Sequence, residues 1–557
     1  MAQSHLYHSP SKMLEASFRE NWEHHALSNY GGDILYRYED LGRNIASLHL
    51  AFGKAGLKKG DKVAICGKNH ANWMLAFLSV FTYGAVPVPL LHEFKPANIH
   101  HLVNHSESRL LFVDEQIWEN LDAGEMPSLE GVVEIGKFNI IIARNQTFGE
   151  AMVCRQELLD DRYPDGFNRE DIIYDEENPD DLAIINYTSG TSGFSKGVML
   201  SYRSVWSNMD FGLSIYTGLD NTSKTLAILP CAHMYGLMFE TFFQICCGVH
   251  VHYLTRLPSP NIILKAMGEI KPRLILFVPL VIEKVYKNTI LPRLQQPAVR
   301  RLRKYLPGFE FILLKKMRRS LIEAFGGDFT EIIIGGAAFN KEIEAFFRKM
   351  KFPFTVGYGM TECGPIITYS YWKDARLGAS GTAAPNMEIR VDSSDPQRIP
   401  GEIQCKGANV FLGYYKNEEQ TAQTFTEDGW FRTGDMGVID KDGYLYIKGR
   451  SKCMILGASG QNIYPEELEA ILNNQPYVSD SLVIDNKGEI TALVFPNYPL
   501  AEKRGLNAES VRKEIEAGLA AVNADLPNYS QIKALEIRVE DFERTPKKSI
   551  KRYLYQR

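Results

Sequence analysis

The sequence predicts an α/β protein: a large N-terminal domain of mostly parallel sheets with flanking helices and a small β-subdomain, followed by an α+β C-terminal domain. Helix-like and strand-like patterns alternate over residues 40–115 and resume in the middle of the chain, as in βαβ units. Residues 376–447 combine short strands with many turns, which favours the β-subdomain. The last hundred residues mix both patterns, so we expect domains at 1–449 and 450–557.

Bulk properties limit the class of protein. A chain of 557 residues is too long for one ordinary core. Its net charge of −5 argues against a dedicated nucleic-acid binder. The eight cysteines show no Cys-x-x-Cys pair, so we expect reduced core residues, no zinc site and a cytoplasmic protein. The first fifteen residues lack the apolar core of a signal peptide, and prolines and a glycine interrupt the apolar region 73–91, which we do not expect to span a membrane.

The individual elements follow from apolar spacing. In the first half we expect helices at 41–55, 73–81, 234–246 and 262–270, and strands at 62–66, 85–88, 182–187, 226–229, 249–253 and 274–278. A polar-capped segment opens at Ser201. Later we expect strands at 331–334 and 354–358 and a helix capped by Asn340. The C-terminal unit should hold helices after Pro465 and from Glu509, and strands near 481–484, 490–495 and 535–539.

One stretch, residues 187–197, has the composition of a phosphate-binding loop. It follows the buried strand predicted at 182–187 and reads Tyr-Thr-Ser-Gly-Thr-Ser-Gly-Phe-Ser-Lys-Gly. Glycines let backbone N–H groups crowd an anion, hydroxyls add donors and a lysine adds charge. It is not a Walker A loop, because Gly193 lies three residues before Lys196. The alternative is a surface linker, but linkers seldom follow a buried strand and end in Lys-Gly.

This stretch resembles the phosphate loop of the adenylate-forming superfamily, which includes acyl-CoA synthetases, luciferases and the adenylation domains of peptide synthetases. The family pattern is Thr-Ser-Gly-Thr-Thr-Gly-x-Pro-Lys-Gly; here Ser192 replaces a threonine and Ser195 the proline. Further motifs follow in the family's order over most of the chain. The resemblance implies a loop that binds the β- and γ-phosphates of ATP through Thr188, Ser189, Gly190, Thr191, Ser192, Gly193 and Lys196.

The resemblance also implies the rest of a nucleotide site. The adenine slot would consist of Gly336, Ala337, Ala338, Gly357, Tyr358 and Gly359, with the Tyr358 ring stacked on the base. Thr361 would bind the α-phosphate and Glu362 would hold Mg²⁺. Asp435 would accept hydrogen bonds from the ribose hydroxyls, and Arg450 would contact the ribose. Taken singly, each has a plain alternative: a core aromatic for Tyr358, a helix start for Thr-Glu, a turn for Asp435 and a surface arginine for Arg450.

The implied chemistry is attack of a carboxylate on the α-phosphate of ATP, followed by displacement of AMP by a thiol. Thr188, Lys196, Glu362 and a C-terminal lysine would be the catalytic groups. The family ends in Thr-x-x-Gly-Lys, whereas residues 544–549 read Arg-Thr-Pro-Lys-Lys-Ser without the glycine. One deletion aligns Lys548 with the family lysine, and Lys547 is the alternative.

Three further regions carry expectations. In the family the small domain rotates between the two steps, about a pivot that corresponds to Lys452; residues 457–460 would then face the pantetheine arm of coenzyme A. His233, Met234 and Tyr235 resemble the edge of the acyl pocket, although a lone histidine is usually structural. Residues 293–319 interleave basic and apolar side chains, which suits either a solvated helix face or contact with an anionic membrane.

We therefore expect an AMP-forming acyl-CoA synthetase that uses ATP, Mg²⁺ and coenzyme A on a medium- to long-chain fatty acid, in the cytoplasm or at the membrane periphery. Two alternatives remain open: adenylation of an aryl, amino or other acid with transfer to an acyl carrier protein, and a catalytically impaired nucleotide-binding homologue. An amino-acid enzyme would favour an acidic residue near 231–237, and none is present.

Overall fold

A computed structural model describes residues 8–189, 195–216, 218–256, 259–456, 461–545 and 550–556, apart from the side chain of Ser189. The α-helices are α1 Pro10–Glu20, α2 Tyr38–Lys54, α3 Ala71–Thr82, α4 Pro96–Ser106, α5 Glu115–Trp118, α6 Gln146–Val153, α7 Arg155–Arg162, α8 Tyr202–Ile215, α9 Met234–Gly236, α10 Phe243–Cys246, α11 Pro260–Ile270, α12 Pro279–Val285, α13 Leu291–Leu294, α14 Pro297–Tyr305, α15 Phe309–Ala324, α16 Lys341–Lys349, α17 Glu418–Thr424, α18 Pro465–Leu472, α19 Tyr498–Lys503 and α20 Ala508–Asp525.

The strands range in length from two to nine residues. They are β1 His25–Asn29, β2 Leu35–Arg37, β3 Lys62–Gly67, β4 Val86–Leu91, β5 Leu110–Val113, β6 Gly131–Glu134, β7 Ile140–Ala143, β8 Leu182–Ser189, β9 Ser195–Ser201, β10 Lys224–Ala227, β11 His250–Tyr253, β12 Leu274–Phe277, β13 Glu331–Ile334, β14 Phe354–Val356, β15 Tyr358–Gly359, β16 Ile366–Tyr369, β17 Thr382–Ala383, β18 Met387–Asp392, β19 Gly401–Gly407, β20 Gly413–Tyr414, β21 Phe431–Ile439, β22 Leu445–Arg450, β23 Ile455–Leu456, β24 Asn462–Ile463, β25 Val478–Asn486, β26 Glu489–Pro496 and β27 Ala534–Ile537.

Three sheets of the N-terminal part are mainly parallel, as the alternating pattern predicts. Strand order is β4-β3-β5-β6-β7 in the first, β10-β11-β1-β2 in the second and β12-β13-β14 in the third. The edge strands β7 and β2 run antiparallel to their neighbours. Strands β3 to β5 are almost wholly buried, because helices cover both faces of a parallel sheet. The predicted α/β fold class is confirmed.

The β-subdomain is an antiparallel sheet in the order β18-β19-β21-β22. Its last strand ends at Arg450, which pairs directly with Asp435 on β21. The C-terminal residues form a separate sheet, β25-β26-β27, with its own apolar core that includes Leu468, Val483 and Ile515. The boundary between residues 449 and 450 stays a prediction.

The strands on either side of the predicted phosphate loop form an antiparallel hairpin. Strand β8 pairs with β9, so that Thr188 lies opposite Lys196 and Ser189 opposite Ser195. Strand β20 extends the hairpin on the β9 side. Ser201 then caps α8, because its hydroxyl accepts a hydrogen bond from the Ser204 amide at 3.2 Å. Both ends of the loop are therefore fixed by a sheet.

Two predicted elements are broken in the structure. The helix expected at 234–246 consists of α9, a π-helical segment at Leu237–Phe242, and α10. Thr241 and Gln244 donate side-chain hydrogen bonds to the carbonyls of Leu237 and Phe239, at 2.5 and 2.9 Å, which satisfies carbonyls that the wider turn leaves available. The strand expected at 354–358 is divided at Gly357 between two sheets.

The cysteines are free, as predicted, but not all of them belong to the core. Six are buried, whereas Cys154 and Cys453 are partly exposed, so the expectation of eight core residues is wrong for these two. Within the described ranges, no helix is both long and apolar enough to cross a membrane.

Candidate functional site

The site lies at the carboxyl ends of β13 and β14, where open α/β sheets commonly bind ligands. The Gly335 amide donates to the Phe277 carbonyl and the Gly357 amide to the Ile334 carbonyl, both at 3.0 Å. These bonds hold the two glycine segments side by side. Gly336 has a φ of +83°, a conformation that favours glycine, and residues 336–338 are exposed. The predicted adenine slot thus presents bare backbone at the sheet edge.

Tyr358 and Asp435 are bonded to each other across this edge. The Tyr358 hydroxyl donates to Asp435 Oδ2 at 2.7 Å, and Arg450 Nε lies 3.6 Å from Asp435 Oδ1. The Thr433 hydroxyl accepts from the Asp435 amide at 3.1 Å and fixes the turn. Burial raises the pKa of Asp435, while Arg450 and the Tyr358 hydroxyl partly oppose the rise. Three of the predicted nucleotide residues are therefore in contact.

Glu362 lies in a short turn, Thr361–Cys363. Thr361 and Glu362, which are predicted to contact the α-phosphate and Mg²⁺, are both buried. Glu362 Oε1 accepts a hydrogen bond from the Tyr414 hydroxyl at 3.0 Å, and the Glu362 backbone carbonyl accepts from the Phe411 amide at 2.9 Å. The strand before this turn needs Gly359, because a Cβ there would lie 2.1 Å from the Pro365 carbonyl oxygen. The Tyr414 hydroxyl thus orients the Glu362 carboxylate, and the Phe411 amide holds the Glu362 backbone.

Lys196 adds a positive charge to the site formed by Tyr358, Glu362, Tyr414 and Asp435, which we call the cleft. Its Nζ lies 4.8 Å from the centroid of the Tyr414 ring. Burial, and next the positive charge of Lys452, lower the pKa of Lys196, and the negative charge of Glu362 opposes this. Sequence reasoning missed Tyr414, which touches both Lys196 and Glu362. Tyr414 reaches this position because its strand, β20, pairs with β9, and the spacing of apolar residues does not predict that pairing.

The His233–Tyr235 turn borders the same glycine segment. The Tyr235 hydroxyl donates to the Ile333 carbonyl at 3.2 Å, and its ring lies so close to Gly335 that a Cβ there would be 3.2 Å from it. His233 Nδ1 accepts from the Tyr235 amide at 3.3 Å and caps α9. Met234 is fully buried and faces the core. The Asn186 side chain ties this turn to β8 by donating to the Ala232 carbonyl at 2.9 Å.

Several predicted residues lie outside the described ranges, namely Gly190, Thr191, Ser192, Gly193, Lys547, Lys548 and residues 457–460. Lys452 is described and lies in a turn, Ser451–Cys453, directly after β22. Glu362 is a single carboxylate, and no cluster of three or more metal-ligating side chains occurs among the described residues. One carboxylate fits Mg²⁺, which proteins commonly hold by one or two carboxylates together with substrate phosphates.

The C-terminal unit packs beside this cleft through helix α18. The Asn340 side chain donates to Asn474 Oδ1 at 2.5 Å and to the Ala470 carbonyl at 3.2 Å, while its own oxygen caps α16 as predicted. Lys287 Nζ donates to the Asn473 carbonyl at 2.7 Å. A cation at the end of α18 is favourable because the carbonyl ends of a helix carry partial negative charge.

A body of mainly parallel sheets, an antiparallel β-subdomain and a small C-terminal unit with a sheet of its own make up the fold. A family profile described as "AMP-binding enzyme" matches residues 14–415, and one described as "AMP-binding enzyme C-terminal domain" matches residues 453–557. The chain belongs to the AMP-binding enzyme family.

Similar curated proteins are acid–CoA ligases. The chain is 26% identical over 558 residues to long-chain-fatty-acid–CoA ligase FadD15 of Mycobacterium bovis, covering 92% of this chain and 89% of that protein. It is 26% identical over 544 residues to long-chain-fatty-acid–CoA ligase 1 of Saccharomyces cerevisiae, covering 88% and 76%. It is 29% identical over 476 residues to 4-coumarate–CoA ligase-like 4 of Oryza sativa subsp. japonica, covering 83% and 78%.

Solved structures with this fold include the anthranilate CoA ligase AuaEII in complex with anthranoyl-AMP. It has a TM-score of 0.77 at 19% identity, covering 99% of this chain and 97% of that one. ATP-bound MatB from Rhodopseudomonas palustris has a TM-score of 0.74 at 22% identity, covering 98% of each chain. The o-succinylbenzoate CoA synthetase of Bacillus subtilis, with ATP and a magnesium ion, has a TM-score of 0.73 at 20% identity, covering 97% and 98%. These similarities establish the fold.

Proposed function

We propose that the protein is an AMP-forming acid–CoA ligase that activates a medium- to long-chain fatty acid. The acid carboxylate attacks the α-phosphate of ATP, giving acyl-AMP and pyrophosphate, and the thiol of coenzyme A then displaces AMP. The observation that carries the proposal is the proximity of Lys196, Glu362 and Asp435. Tyr414 contacts both Lys196 and Glu362, and the negative charge of Glu362 acts on both Lys196 and Asp435.

Within this proposal the cleft positions the nucleotide by charge. Asp435 accepts hydrogen bonds from the ribose hydroxyls, a task for a fixed carboxylate. Lys196 faces the phosphates as a point charge, and Thr188 lies opposite it on the hairpin. Glu362 would hold Mg²⁺, which when bound neutralises charge on the phosphates. Such a transfer depends mainly on orientation and electrostatic stabilisation.

Tyr414 is a positioning residue in this arrangement. Its hydroxyl orients the Glu362 carboxylate, and its ring supports the Lys196 ammonium. One aromatic residue therefore contacts both charged side chains, which reduces the ordering that ATP must supply on binding.

A series of aromatic rings, most of them buried, connects the glycine edge with a cavity whose lining is partly apolar and partly polar, the polar part including Arg273 and Asp374. Ring centroids of Tyr235 and Phe239 are 6.4 Å apart, those of Phe239 and Phe211 5.7 Å, and those of Phe211 and Tyr369 5.4 Å. Phe211 and Tyr369 line a cavity of about 750 Å³, which also borders Thr330. From Gly335 to Thr330 the chain runs along β13, roughly 16 Å at about 3.3 Å per residue. That length suits the apolar tail of an extended fatty acid.

The test is acid-dependent ATP–pyrophosphate exchange over a panel of acids, followed by addition of coenzyme A. We expect exchange with saturated fatty acids of medium and long chain, and formation of the CoA ester. If 4-coumarate or anthranilate is preferred, the aryl alternative replaces the fatty-acid proposal; if only an acyl carrier protein accepts the acyl group, the CoA step is wrong. If no acid supports exchange, the protein is the catalytically impaired nucleotide-binding homologue.

Chain length gives a second, structural test. Phe211→Ala should widen the path between Phe239 and the cavity and shift the preference of exchange toward longer or bulkier acids. Phe346→Ala is the matched control, because that ring packs against Tyr286 and Phe347 instead. An equal change of preference in both variants would contradict the proposed route.

The two-step cycle assigns roles to Lys548 and Lys452. Lys548→Ala should abolish formation of acyl-AMP yet spare transfer from supplied acyl-AMP to coenzyme A, with Lys547→Ala as the comparison. Lys452 would be the pivot for rotation of residues 450–557 between the steps. If Lys548→Ala keeps full pyrophosphate exchange, Lys548 is not the catalytic lysine. The Lys547→Ala variant then shows whether Lys547 has that role.

A further inference from the structure

The tip of the α14–α15 hairpin carries large apolar side chains that face solvent. Tyr305 and Phe311 are each 72% exposed and Ile312 is 65% exposed, and Leu302 and Leu306 are exposed beside them. Gly308, with a φ of +80°, turns the chain between the two helices and brings both sets of side chains to one tip. Large apolar side chains scattered singly need no explanation, but a cluster of this kind indicates an interaction site.

This cluster is not an incomplete part of the core. Helix α15 already has a core face, because Leu314, Met317 and Leu321 are buried among the side chains that pack around β12, β13 and β14. The exposed residues Phe311 and Ile312 lie in the first turn, before that buried face begins. The apolar tip therefore extends beyond what the fold needs for packing.

The segment that carries the tip, residues 293–319, is rich in positive charge. The basic residues in this segment are Arg293, Arg300, Arg301, Arg303, Lys304, Lys315, Lys316, Arg318 and Arg319. The segment holds one acidic residue, Glu310, which bonds Arg303 at 2.8 Å and Lys349 at 3.0 Å. Those two cations also lower the pKa of Glu310, so its single negative charge is already engaged. The segment is thus strongly cationic on a chain whose net charge is −5.

We propose that this hairpin docks the protein on an anionic phospholipid surface, with Tyr305, Leu306, Phe311 and Ile312 entering the headgroup boundary. Apolar residues flanked by Lys and Arg are the combination that binds at such an interface. A second copy of the chain is a poor occupant, because two such tips would bring like charges together. The proposal concerns residues other than those assigned to the nucleotide site and does not depend on which acid is activated.

The experiment is co-sedimentation of the full chain with vesicles, without nucleotide or acid. We expect binding to vesicles of phosphatidylcholine mixed with phosphatidylserine, at least tenfold weaker binding to phosphatidylcholine alone, and loss of the difference at high salt. The double variant Phe311→Ser with Ile312→Ser should bind at least tenfold more weakly. Arg301→Glu with Lys304→Glu should remove the preference for anionic vesicles.

The matched control is Leu377→Ser with Ile399→Ser, which removes two exposed apolar side chains elsewhere, at 52% and 51% exposure. This control should bind vesicles as strongly as the unchanged protein does. All variants should have the same melting temperature as the unchanged protein. Equal binding to both vesicle types, or undiminished binding by the Phe311 and Ile312 variant, would overturn the proposal. The proposal would also be overturned if the unchanged protein bound no vesicles but formed concentration-dependent dimers, and if the Phe311 and Ile312 variant lost those dimers. The tip would then be a protein interface.

Discussion

Replacing Asp435 with asparagine should weaken nucleotide binding without weakening the fold. The side chain is 13% exposed, and it accepts a hydrogen bond from the Tyr358 hydroxyl at 2.7 Å. Asparagine has nearly the same shape and can accept that bond through its amide oxygen. It cannot offer a charged acceptor to two ribose hydroxyls, because one of its two polar atoms is a donor.

The Asp435→Asn substitution should weaken ATP binding but should not lower the free energy of unfolding. A hydrogen bond to a charged group contributes about 1.5–3 kcal/mol, so the loss of one such bond corresponds to roughly 10- to 150-fold weaker ATP binding. Burial raises the pKa of Asp435, which means that the folded protein disfavours the charged form. Its pair with Arg450 adds little, because the Arg450 side chain is 63% exposed. The free energy of unfolding should therefore stay the same or increase.

Titration calorimetry with MgATP and thermal unfolding measure both effects. Asp428→Asn is the matched control, since that exposed carboxylate bonds Arg390 at 2.6 Å in the same β-subdomain and is not among the cleft residues. ATP binding by the unchanged protein should also weaken as the pH falls toward the raised pKa of Asp435, whereas the Asp435→Asn variant should show no such dependence. Unaltered ATP affinity in this variant would refute the assignment of Asp435.

Gly359→Ala should lower the melting temperature and abolish adenylation, because its Cβ would lie 2.1 Å from the Pro365 carbonyl oxygen; unchanged melting would show that β15 can move freely. Tyr414→Phe should reduce pyrophosphate exchange less than Tyr414→Leu, since phenylalanine keeps the ring beneath Lys196 and loses only the bond to Glu362; equal loss would exclude a role for the ring. Stability should fall by up to about 3 kcal/mol as the pH drops from 6.5 to about 4, because burial lowers the pKa of His49 to about 4 and only the unfolded chain binds the proton in that window. His49→Gln should flatten this part of the denaturant-measured pH profile, and an unchanged slope would contradict it.

Local signals in the sequence predict most of the elements and the order of the motifs. Ser201 and Asn340 cap the helices that they are expected to cap, because an N-cap depends on a few neighbouring residues. The predicted parallel sheets are present because alternating strands and helices leave few other arrangements. The fold class is therefore encoded in patterns that span only a few tens of residues at a time.

Contacts between distant segments are not encoded in this way. Tyr414 reaches Lys196 and Glu362 only because β20 pairs with β9, and apolar spacing does not specify that pairing. The break at Leu237–Phe242 is hidden for a similar reason, since a π-helical segment keeps the same apolar residues as a regular helix. The direct bond between Tyr358 and Asp435 likewise depends on how the β-subdomain sits against β15.

The chain on both sides of residues 546–549 is fastened to the small C-terminal unit. Arg544 bonds Asp480 at 2.5 Å and forms an isolated bridge with Ile550, and Arg552 is paired with the buried Glu469 of α18. Lys547 and Lys548 belong to the segment between these two anchors. In the proposed two-step cycle, a rotation of the C-terminal unit would carry both anchors with it. A substitution that breaks the Arg552–Glu469 pair should therefore impair adenylation, although neither residue is among the predicted catalytic groups.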